Sequence, residues 1–96
     1  MKNIGVYIRD LRMKRGLPLR KLAAALDIDT STLAKMEKGT RSFQINMAPI
    51  LAKELEIDFK KLQIDLLASL IIEEHGEVMY APQALKKAIK QIERPN

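Results

Sequence analysis

The chain has 96 residues, 47% of them apolar and 30% charged, the balance of one small globular domain rather than a disordered segment. It contains no cysteine, so disulfides and thiolate zinc sites are excluded and a reducing cytoplasm is the expected compartment. The net charge of +5 is uneven: residues 1–47 hold ten Lys and Arg against four Asp and Glu, and residues 48–96 hold seven against eight. Phosphate neutralisation supplies most non-specific affinity for nucleic acid, so this asymmetry predicts a polyanion-binding face in the first half and a near-neutral assembly region in the second. No signal-peptide apolar core is seen in the first residues, and the longest apolar run, Leu66 to Ile72 with Ser69 inside it, is too short to span a bilayer.

Taken in chain order, Ile4, Ile8, Leu11 and Met13 predict a first helix that ends near Arg15-Gly16, where glycine closes the turn and cations suit the C-terminal dipole. Of the cluster Arg9, Arg12, Lys14 and Arg15, most form a solvated face. Leu19, Leu22, Ala23 and Leu26 then repeat at the helical period, as do Leu33 and Met36, and the phase slips between the two groups at Asp27-Ile28-Asp29. A slip of phase is a change of direction, so residues of about 19–38 read as a helix-turn-helix. Ala23 falls where the two helices come closest, which gives its small side chain a geometric reason. Asp29 is placed to cap the second helix, with Ile28 and Leu33 as the apolar pair across that cap, and Gly39 to close it. The exposed positions of that helix, Thr30, Ser31, Ala34, Lys35 and Lys38, are small, hydroxylated or cationic, which suits entry into a DNA major groove. Glu37 is the only acid within the helix, and it falls inward beside Leu33 and Met36.

Further along, Pro49 fits near the start of a fourth helix beginning around Asn46 or Met47 and carrying Ile50, Leu51 and Leu55. Ile57-Asp58 repeats the cap arrangement, with Leu62 as the apolar partner. A fifth helix, Phe59 to about His75, has two apolar faces: Phe59, Leu62, Leu66 and Leu70 on one, Ile64, Leu67 and Ile71 on the other. One face suffices for a core, and the second requires the C-terminal segment or a second subunit. Gly76 ends that helix and Tyr80-Ala81-Pro82 opens a last one, with Leu85, Ala88, Ile89 and Ile92 in a stripe opposite Lys86, Lys87, Lys90 and Glu93. That stripe lacks Trp and Phe, so packing on protein is favoured over a membrane surface. Ile64, Leu67, Ile71, Leu85, Ile89 and Ile92 are therefore the expected dimerisation residues, in an extension (63–96) packed on the same domain as residues 1–62.

The run Gly16-Leu17, Leu22-Ala23, Leu26, Ile28, Ser31-Thr32-Leu33, Lys35-Met36-Glu37-Lys38-Gly39 and Arg41 resembles the helix-turn-helix of XRE-type regulators, relatives of the phage Cro and cI repressors. The likeness runs without a gap from about Ile4 to Leu62, including Ala52-Lys53, Leu55 and Ile57. It implies an all-α, five-helix lambda-repressor-like DNA-binding domain, here with an additional C-terminal helix. It also implies a structural ion pair between Arg12 and Glu37, and phosphate contacts from the loop after the recognition helix, Thr40 and Arg41. Three positions depart from the family pattern. Leu19 stands where many members have a glutamine that touches phosphate, Pro18 replaces the usual serine cap, and Asp27 replaces the usual turn glycine, which aspartate can do at modest strain.

Catalytic chemistry is not expected. His75 lies near Glu73, Glu74 and Glu77, but it reads as a residue interacting with the last helical carbonyls, and no second soft ligand accompanies it. Ser31 and Thr32 have no nearby histidine base, and no glycine-rich phosphate loop is present. No enzyme activity, metal or cofactor is anticipated. The expected function is transcription regulation, repression included, by a homodimer binding a palindromic operator in double-stranded DNA. Thr30, Ser31 and Lys35 are assigned to base edges, and Thr32, Lys38, Thr40 and Arg41 to phosphates. The size and helical tail resemble controller proteins that accompany restriction-modification genes. The alternative is an antitoxin-like interaction protein, whose C-terminal helices hold a toxin and whose DNA binding is autoregulatory.

Overall fold

A computed structural model describes residues 3–94. Six helices follow one another: α1 Ile4–Lys14, α2 Leu19–Ala25, α3 Thr30–Lys38, α4 Ala48–Leu55, α5 Phe59–His75 and α6 Ala81–Glu93. A single 3-10 turn, Ile45–Met47, leads into α4, and no strand occurs among the described residues. The fold is all-α and lambda-repressor-like, with an additional C-terminal helix.

The first four helices stop by one device. After each, the chain passes through one left-handed residue, whose own amide and that of the following residue turn back to carbonyls of the last turn. Leu17 N–H reaches Arg12 O, Ile28 N–H reaches Ala23 O, Thr40 N–H reaches Lys35 O and Ile57 N–H reaches Ala52 O, at 3.0–3.1 Å. Gly16 and Gly39 supply the left-handed residue in two cases, but Asp27 (φ 57°) and Glu56 (φ 53°) supply it in the others. A left-handed non-glycine residue costs about 1–2 kcal/mol, so tertiary packing has to hold those two turns. The residue after each turn does so: Leu17, Ile28 and Ile57 pack against the core. Helix α3 is the exception, because its following residue is the exposed Thr40.

Pro18 takes the cap position of α2 with φ −63° and no side-chain bond, and its carbonyl still receives the Lys21 and Leu22 amides. Asp29 and Asp58 cap α3 and α5, accepting the Thr32 and Lys61 amides at 2.8 and 2.9 Å.

Ile8 from α1, Leu22 and Ala23 from α2, Leu33 and Met36 from α3, Leu51 and Leu55 from α4, and Leu62 and Leu66 from α5 converge on one core. Burying each such aliphatic chain contributes roughly 1.5–3 kcal/mol, and that favourable term offsets the cost of ordering the backbone. Phe43 joins this core at 2% exposure and anchors an otherwise polar loop.

The structure corrects one expectation. Phe59 does not continue the inward face of Leu62 and Leu66. It is 42% exposed, because it sits in the first turn of α5 on an open rim beside Pro49, Ala52 and Ile57. Gly76 ends α5, with an ordinary right-handed φ of −59°. Within the C-terminal extension, Leu66 is buried in this core and Leu70 packs against it. None of the residues of α6 is buried, because no element of the chain covers its apolar stripe.

Candidate DNA interface

Three contacts fix the pose of α3. Arg12 of α1 donates through Nε to Glu37 Oε2 at 2.8 Å and through Nη2 to Oε1 at 3.0 Å, a paired fork that constrains rotation as well as distance. Its remaining nitrogen, Nη1, donates to the Leu17 carbonyl at 3.0 Å, so the same guanidinium also ties down the end of α1. Glu37 is the one buried charged side chain among the described residues, and no buried side-chain polar atom there lacks a partner.

The second contact is at Gly5, which is buried within α1. A Cβ there would lie 2.4 Å from the Met36 carbonyl oxygen and 2.6 Å from that of Glu37. Only the missing side chain lets α1 approach the last turn of α3 so closely. Sequence reading passed over Gly5, although a glycine inside a helix, where it costs roughly 0.5–1 kcal/mol, signals a packing reason. The third is the packing of α2 against α3, with Ala23 of α2 buried in the core.

With its inner side held, α3 turns Thr30, Ser31, Lys35 and Lys38 outward, all exposed, with Thr32 half-buried at their edge. Arg41 and Thr40 lie exposed in the loop that follows. The structure therefore brings the seven predicted contact residues onto one helix and its adjoining loop. Ser42 Oγ donates to Glu73 Oε1 of α5 at 2.7 Å, and Phe43 buries its ring, so the loop is pinned at two successive residues.

One carboxylate does border the outward face. Asp29 is exposed at the start of α3, and its carboxyl is held below the usual 3.8 by the Thr32 side chain, the Thr32 amide and the Ser31 hydroxyl, with Arg41 adding a favourable charge. Ser31 Oγ donates to Asp29 Oδ1 at 3.0 Å. With its proton committed, Ser31 offers acceptor lone pairs outward. Thr40 is committed too, since its hydroxyl and its amide both donate to the Lys35 carbonyl, at 3.2 and 3.0 Å.

The family model described as helix-turn-helix matches residues 8–62, more than half of the sequence. The chain belongs to the XRE helix-turn-helix family. Neither the curated proteins nor the solved structures gave a match. As a family member the XRE protein is a DNA-binding transcriptional regulator, of a family that is not enzymatic. The matched segment contains α2, α3 and both members of the Arg12–Glu37 pair, and it stops within the first part of α5, at Leu62. No helix among its described residues is long and apolar enough to cross a membrane. His75 is exposed, with Nε2 3.4 Å from Glu74 Oε2.

Proposed function

We propose that the XRE protein binds double-stranded DNA sequence-specifically as a homodimer on an imperfect palindrome, and regulates transcription in the cytoplasm. The observation that carries this reading is the division of α3: a clamped inner side, and an outer side made of hydroxyls and two lysines. Thr30, Ser31 and Lys35 are the base readers. Lys35 suits guanine O6 and N7, the Thr30 methyl suits a thymine methyl, and Ser31, its proton held by Asp29, suits the amino group of cytosine or adenine. Lys38 and Arg41 meet phosphates directly, whereas Thr32 and Thr40 do so by exchanging their internal bonds for phosphate oxygens.

The homodimer reading is supported by the apolar faces that the single chain leaves open. Ile64 and Leu67 of α5, and Leu85, Ile89 and Ile92 of α6, are exposed, and Ile71 is half-covered. Patches of this kind mark interaction surfaces. A two-fold dimer through them presents two recognition helices to successive major-groove faces, and the operator then mirrors the protein's symmetry.

Binding-site selection with the purified protein tests the reading, and two variants separate the roles. Lys35→Ala is expected to cost roughly 1–3 kcal/mol on the selected operator and to relax preference at one position. Arg41→Ala is expected to weaken all sequences alike and to lower the salt slope by about one. Uniform loss from Lys35→Ala would remove it from the base readers, and selection of unrelated sequences would overturn specific binding. If the purified chain is a monomer that dimerises on neither concentration nor operator, the apolar faces belong instead to a partner protein such as a toxin.

A further inference from the structure

We infer that Glu73 of α5 is a positioning residue for DNA binding: through Ser42 it holds Arg41 in the pose that meets a phosphate. This rests on the DNA-binding reading above and adds to it a residue outside the matched segment 8–62. Leu62, Leu66, Ser69 and Glu73 follow one another at intervals of four, three and four residues, and so share one face of α5. The first two are buried in the core. Farther along, that face becomes polar, and Ser69 and Glu73 line a cleft together with Arg41, Ser42 and Phe43. The inward stripe of α5 thus ends on an acceptor for the loop instead of on another apolar side chain.

That acceptor is used. Ser42 Oγ donates to Glu73 Oε1 at 2.7 Å, the short distance of a hydroxyl on a carboxylate. On the other side of Arg41, the Thr40 amide is tied to the Lys35 carbonyl at 3.0 Å. Arg41 is therefore an exposed side chain between two anchored residues. Ordering its backbone in advance removes an entropic cost that the complex would otherwise bear. Charge acts the other way, because a carboxylate beside a surface that meets phosphates opposes binding. Positioning and charge thus predict opposite signs for the loss of Glu73, and the sign of the change in affinity tells them apart.

The test is affinity of the full-length protein for the selected operator. Glu73→Ala and Ser42→Ala are each expected to weaken it about three- to tenfold, the weight of one ordinary hydrogen bond, and the double variant no further than either alone. Glu73→Gln, which keeps an acceptor oxygen and drops the charge, should restore most of the loss. In an Arg41→Ala background Glu73→Ala should change nothing more, because its effect passes through Arg41. Unchanged or tighter binding by Glu73→Ala, no rescue by glutamine, or an equal loss without Arg41 would overturn the inference. So would a loss that travels with a lower melting temperature or a lower mass in solution, which would assign Glu73 to folding or assembly. Trypsin cleavage after Arg41 reads the loop without DNA, and is expected to quicken several-fold in Glu73→Ala. An unchanged rate would overturn the Ser42–Glu73 restraint. Quickened cleavage in a protein whose wild type binds no operator would instead overturn the DNA-binding reading, and with it the role of Arg41, while leaving the restraint in place.

Discussion

Leu66 and Leu67 are neighbours on one helix, yet the first is fully buried and the second is 45% exposed. That boundary divides the molecule. Every buried residue among the described positions lies at or before Leu66, and beyond it none is buried. Before the boundary each apolar stripe meets another stripe of the same chain, and the one buried carboxylate meets an arginine fork. After it, stripes of the same helical period face outward. An amphipathic repeat thus guarantees a face that prefers cover, but not that the cover comes from the same chain. On the proposed reading, the closed region carries the surface that reads DNA, and the open region brings two such surfaces together.

The largest expected effect breaks the closed region from inside. Glu37→Ala leaves the Arg12 guanidinium, mostly buried, with only the Leu17 carbonyl as partner, and is expected to cost about 3–5 kcal/mol. Arg12→Met combined with Glu37→Leu should restore much of that loss. Thermal melts of the three proteins check this, and a single variant melting like wild type would show that the pair does not hold α3.

The next prediction sharpens the boundary. Leu66→Ala is expected to destabilise the fold by about 2–5 kcal/mol, through a cavity in the core. Leu67→Ala should change the stability of the dilute monomer by less than about 0.5 kcal/mol, and instead weaken self-association. Denaturant unfolding and sedimentation, run on the same pair, separate the two outcomes. Equal losses of stability would erase the division.

The smallest effect is at Asp29. Its lowered pKa means that the folded chain favours the carboxylate, so the stabilisation is fully present above the ordinary value of 3.8 and is lost as pH falls through the lower folded value. Asp29→Asn, which keeps an acceptor but not the charge, should flatten that part of the acid unfolding curve. An unchanged curve would show that the cap is not what acid releases.

Much of the closed region was legible because its signals are local. The phase slip at Asp27-Ile28-Asp29, the aspartate caps and Gly39 lie within a few residues of what they control, and α2 and α3 form at Leu19–Ala25 and Thr30–Lys38. What stayed hidden depends on approach between distant segments. Gly5 has its meaning only against the Met36 and Glu37 carbonyls, and Phe43 only because the chain behind α3 folds inward over the core. Glu56 in the left-handed region had no sequence signal, since the turn is imposed by the packing of Ile57 and not by glycine. At the reading surface, residue types predicted which side faces outward, but not that Asp29 and the Lys35 carbonyl already hold the Ser31 and Thr40 hydroxyls.

The central claim, that a closed reading domain is completed by an open assembly region, is tested most directly by light scattering at micromolar concentration on the full chain and on a chain ended after Gly76. Full-length protein is expected at the mass of two 10.9 kDa chains, and the shortened one as a folded monomer, or a weaker dimer, that binds half-sites poorly. A full-length monomer unmoved by operator DNA, or a shortened chain that dimerises and binds as well as the intact protein, would contradict the account.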